Sequence, residues 1–163
     1  MKLKTTILLA LVTIIIAAVQ ASRASDNAFA NGAFTLDRLD EAKERAAKEK
    51  KPLTFIYSYP FEKEYSISYA NTLECIREFK YKTVVVFSKH YDKMPMVVHE
   101  EIDARRSSGD GLSQPVAVIT DVKCRQVLCS IDNGQNSNKE KAKVFKVITE
   151  YRKILEKDTK DEE

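Results

Sequence analysis

The chain lacks several things that would settle its chemistry. Its 163 residues include only two histidines and three cysteines, and the cysteines are at Cys75, Cys124 and Cys129, so no thiol lies anywhere in the first 74 residues. There is no internal repeat and no low-complexity segment. No apolar run reaches the roughly 18 to 20 residues that a membrane-spanning helix needs, since the longest extends from Ile7 to Val19. The formal charge of +3 comes from the first residues: Lys2, Lys4 and Arg23 account for three of the 27 basic side chains, and no acid lies among residues 1–24. Beyond them the two signs are equal. That balance offers no electrostatic footprint for nucleic acid or an anionic membrane, which would need Lys and Arg clustered on one face, and neither is expected as a partner.

The front of the chain does carry a pattern. Lys2 and Lys4 precede the apolar run, and the small residues Ala21, Ser22 and Ala24 follow it, which is the three-part layout of a secretory leader. The expectation is a signal peptide over residues 1–24, cleaved after Ala24 or, alternatively, after Ala21, with a periplasmic or secreted product. No cysteine follows either site, so lipid attachment is not indicated, and membrane contact is expected only through the leader if it stays uncleaved. The remainder suits one domain with a single core.

In an oxidising compartment three cysteines allow at most one internal disulfide. Cys124 and Cys129 are the near pair. A five-residue offset along a hairpin sends their side chains to opposite faces, which disfavours a bridge while leaving it open. Neither this spacing nor that of His90 and His99 matches a closed zinc ligand set, and no metal or cofactor is expected.

After a polar stretch read as a mobile N-terminus over residues 25–34, Thr35 is placed to cap a helix running to about Lys50, with Leu36, Leu39, Ala42, Ala46 and Ala47 at helical spacing. Pro52 ends that helix, and Leu53 to Tyr57 reads as a strand covered on both faces. Asn71 with Glu74 resembles a capping box that opens a short helix to Lys80. Thr83 to Phe87 is a second buried strand. Pro95 begins a helix to about Arg105, with Met96, Val97, His99 and Ile102 near one side. Val116 to Thr120 and Gln126 to Ile131 form an antiparallel hairpin, and Ser137 or Asn138 caps a last helix containing Val144, Phe145, Ile148, Tyr151, Ile154 and Leu155. The crossover between the first two strands makes them parallel. The expected architecture is an α/β three-layer sandwich with a mixed four-stranded sheet over residues 35–157, followed by a charged tail at 158–163.

That order, with EKKPLTFIYSY after a helix of the AKERAAKEK kind and a QPVAVITD strand opening on proline, resembles the thioredoxin-like superfamily, and most of all its exported domains. The likeness covers roughly Leu36 to Leu155. In this family the loop after the first strand carries C-x-x-C at a helix N-terminus, where the dipole lowers the thiol pKa. The matching window here reads Ser58-Tyr-Pro-Phe-Glu-Lys-Glu64, with no sulfur in it. The resemblance therefore implies the fold without dithiol exchange at the usual place. Pro115 matches the family's cis-proline, whose kink presents the preceding backbone to a partner.

Two functional readings follow. The first is a module that binds a protein or peptide through the aromatic cluster Tyr57, Tyr59, Phe61, Tyr65 and Tyr69 beside Pro115, since tyrosine combines contact area with a polar tip. The second is a thiol-based oxidoreductase or peroxidase-like enzyme using Cys75, or the pair Cys124 and Cys129. Cys75 has no neighbouring histidine to serve as base, and it reads first as a core residue. Glu100, Glu101 and Asp103 read as a solvated helix face.

Overall fold

A computed structural model describes residues 32–58, 67–107, 115–132 and 138–158. The chain divides into two units, Met1–Asn31 and Gly32–Glu163, and all the described residues belong to the second. Five strands, β1 (Phe34–Thr35), β2 (Leu53–Tyr57), β3 (Val84–Ser88), β4 (Val116–Thr120) and β5 (Val127–Asp132), form one mixed sheet in the order β1-β3-β2-β4-β5. Four helices accompany them: α1 (Leu39–Glu49), α2 (Ile67–Phe79), α3 (Met96–Ser107) and α4 (Asn138–Asp158).

Two strand directions follow the sequence, those of β2 with β3 and of β4 with β5. β2 and β3 run parallel, with Phe55 beside Val86, because α2 carries the chain back across the sheet between them. β4 runs antiparallel to both β2 and β5, the latter through the short turn after Thr120. Residues 53–57, 84–88 and 116–120 are buried throughout, as expected for strands with partners on both sides and helices on both faces. Alternate residues divide into two layers. Leu53, Phe55, Tyr57, Val84, Val86, Val116 and Val118 pack against Ala42 and Ala46 of α1 and Val98 and Ile102 of α3. The buried Cys75, Ile76 and Phe79 of α2 and Val144 and Ile148 of α4 belong to the other layer. The rings of Phe79 and Phe145 lie 5.7 Å apart, and Lys141 Nζ reaches Glu78 Oε1 at 2.6 Å, which fastens α2 to α4.

The sheet has five strands where four were expected. Phe34 and Thr35 pair in parallel with Val86 and Phe87, so ordered chain begins before residue 35. Thr35 has extended backbone but makes no side-chain cap, and the chain passes through a 3-10 turn (Leu36–Arg38) before α1 starts at Leu39. Phe34 explains the extra strand: its ring packs on the core cluster and lies beneath two guanidinium groups, Arg38 at 5.1 Å and Arg45 at 5.8 Å. α1 ends at Lys50, whose left-handed backbone (φ 51°) lets the Lys50 and Lys51 amides donate to the carbonyls of Ala46 and Ala47, and Pro52 then prevents continuation.

Two helix expectations are corrected. Asn71 lies inside α2, one turn past its start at Ile67, so it is not the cap. On α3 the buried positions are Val98 and Ile102, whereas Met96 is largely exposed, because the face toward the sheet is set by the i, i+4 pair.

Candidate functional site

The chain leaves β2 through Ser58, at the position where the resemblance places the start of a dithiol loop. Ser58 is only 1% exposed, and its hydroxyl oxygen accepts a 2.8 Å hydrogen bond from Thr72 Oγ1. Its amide donates to the Ser88 carbonyl at 3.4 Å. Two strand ends and the second turn of α2 therefore meet at a closed polar contact. Ser88, at the end of β3, uses its own hydroxyl to accept the His90 amide at 2.9 Å. The Ser88 hydroxyl thus holds main-chain groups, and the Ser58 hydroxyl the side chain of Thr72.

Of the residues expected to form a binding surface, Tyr59, Phe61 and Tyr65 lie outside the described residues. Tyr69 falls in the first turn of α2. Pro115 is buried and leads into β4. The Gln114-Pro115 bond involves Gln114, which is outside the described residues. Tyr57 is corrected: it is 5% exposed and belongs to the core beside Val84 and Val116, because it occupies an inward position on the central strand.

The three thiols lie on three different elements, a helix, a turn and a strand. Cys75 is fully buried on α2. Cys124 occupies the β4–β5 turn with a left-handed backbone (φ 54°) and packs toward the α1 side of the sheet. Burial pushes its thiol pKa up, against the opposing pull of Lys43 and a hydrogen bond to Thr120. Cys129 stands opposite Ile119 on β5, facing the other layer, and burial pushes it up to about 11 despite nearby Arg105. None of the three is in a disulfide. The divergence expected from their spacing is what the hairpin produces, and the register shift between Ile119 and Thr120 leaves Leu128 as the extra residue of a bulge.

Among the described residues no group of three His, Cys, Asp or Glu side chains could hold a metal ion. His99 Nε2 instead approaches Asp103 at 3.2 Å, one helical turn away. No helix of the described residues is long and apolar enough to cross a membrane.

One polar cluster among the described residues has no counterpart in the sequence reading. Arg105 on α3 donates from Nε to Ser130 Oγ at 2.8 Å and to Glu101 Oε1 at 3.2 Å, from Nη1 to Asp132 Oδ2 at 2.8 Å, and from Nη2 to the Ser130 carbonyl at 3.0 Å. Ser130 Oγ in turn donates to Glu101. Glu101 is thus a structural partner of β5 and not part of a solvated face. The i, i+4 spacing of Glu101 and Arg105 was visible in the sequence, but their reach to Ser130 and Asp132 required the tertiary fold. Next to this cluster lies a cleft of about 440 Å³ lined by Arg105, β5 and the α4 residues Glu140, Lys143, Val144 and Val147.

Comparison with protein-family models, with curated proteins and with solved structures returned no match to this chain.

Proposed function

We propose that this chain is an exported thioredoxin-like domain without dithiol redox activity, and that it works by binding a protein or peptide. The observation that carries this reading is the end of β2. At the first residue of the window in which the resemblance expects a dithiol, Ser58 is buried and hydrogen-bonded to the second turn of α2. The mixed sheet and the helix order are compatible with that fold.

The thiol-enzyme alternative has less support. A nucleophilic cysteine needs thiolate and access. Cys75 has no exposed surface, and the thiols of Cys124 and Cys129 are shifted away from ionisation. The binding surface in this reading is Tyr59, Phe61 and Tyr65 with Tyr69, beside the buried Pro115 at the start of β4, placed there by the aromatic content of the segment and its position after β2.

Two assays test the proposal. Purified mature protein is expected neither to reduce insulin disulfides nor to consume peroxide; either activity, abolished by Cys75→Ser, would replace the binding module with the enzyme. Pull-down from the native envelope fraction with wild type and a Tyr59→Ala, Phe61→Ala double variant is expected to recover one partner with the first and lose it with the second. Equal recovery would move the binding surface elsewhere.

A further inference from the structure

β5 is the end strand of the sheet, and among the described residues it pairs with β4 alone. Sheet edges of this kind are normally blunted by lysine, proline or an inward charge, because their unpaired main chain templates association. Val127-Leu-Cys-Ser-Ile-Asp132 has no lysine or proline, and its single charge is at the last position. Its protection comes from another element. Arg105 projects from α3, on the α1 side of the sheet, yet it lines the same cleft as Val144 and Val147 of α4, on the opposite side. Lined from both layers, the cleft runs along the sheet edge, with Arg105 on its α3 side. There the Arg105 guanidinium binds the Ser130 carbonyl, the Ser130 hydroxyl and the Asp132 carboxylate.

We propose that β5 is a self-pairing edge held shut by Arg105, and that its occupant, once the guanidinium is withdrawn, is the β5 strand of a second copy of this chain. Charge distribution selects the second copy and the direction of pairing. The exposed turn entering β5 carries Lys123 and Arg125, and the strand leaves through Asp132. Antiparallel pairing about a two-fold axis sets the basic entrance of each strand against the acidic exit of the other, whereas parallel pairing would set like charges together. Asp132 thereby exchanges Arg105 of its own chain for a cation of its partner, and the two sheets become one continuous sheet.

The test is sedimentation velocity of the mature chain over a concentration series, with circular dichroism to verify folding. Wild type is expected to sediment as a monomer and Arg105→Ala as a dimer at the same concentrations. Adding Ser130→Pro, which removes a main-chain donor from the edge strand, is expected to return Arg105→Ala to monomer. Should Arg105→Ala fail to fold, Arg105→Met keeps the apolar stem, removes every donor to Ser130 and Asp132 and leaves the Asp132 charge in place, and it is expected to dimerise. The proposal is overturned if a folded variant of either kind stays monomeric throughout, if Ser130→Pro leaves the dimer intact, or if wild type already dimerises.

Discussion

Thr54 carries a hydroxyl into the middle of the central strand, where it is fully buried and Oγ1 finds no hydrogen-bond partner among the described residues. An unpaired buried hydroxyl costs about 1 to 3 kcal/mol, and valine has the same shape without it. Thr54→Val is therefore expected to raise stability by about 1 kcal/mol in urea unfolding. Thr72→Val has the opposite expectation, a loss of about 1 to 2 kcal/mol, because it removes a donor that Ser58 uses. Cys129 gives a pH dependence of known sign. Its thiol has an ordinary pKa of 9.0 and is raised to about 11 in the folded chain, so the unfolded chain loses this proton first as pH rises. Its contribution to stability is fully present below pH 9 and is lost between 9 and about 11. Thermal unfolding of wild type should fall more steeply over that interval than that of Cys129→Ser.

At the scale of elements, β1 shows how two residues can matter. The half-buried ring of Phe34 joins a two-residue strand to α1 through Arg38 and Arg45, and Phe34→Ala is expected to cost about 2 kcal/mol in denaturant unfolding. A loss below about 0.5 kcal/mol would mean that the strand is ornamental to the fold. Elements with strong local patterns were legible beforehand. Val116 to Thr120 falls where its apolar run predicts, Leu53 to Tyr57 likewise, and the second strand is displaced by one residue to Val84–Ser88. Phe34–Thr35 was not legible, since two residues have no periodicity and their pairing with Val86 and Phe87 is entirely long-range. The expected start of α2 fell four residues late because Asn71 with Glu74 imitates a cap, whereas the helix begins at Ile67.

For the whole molecule, the hairpin that separates Cys124 from Cys129 sets the thiol state. With the two side chains in different layers and Cys75 sealed under α2, protein denatured without reductant should titrate three free thiols per chain. A count of one would show a disulfide and a rearranged turn. The candidate site was only partly legible at this scale: the missing sulfur between Ser58 and Glu64 could be read directly, while the closure of Ser58 by Thr72 and the reach of Arg105 to β5 depend on residues 14 and 25 or more positions apart. Thr72 has one further consequence. α2 is bolted near its front to Ser58 and at its rear, through Glu78 and Phe79, to Lys141 and Phe145 of α4. A bar held at two points resists rolling about its own axis, so α2 and α4 are expected to shift as a pair.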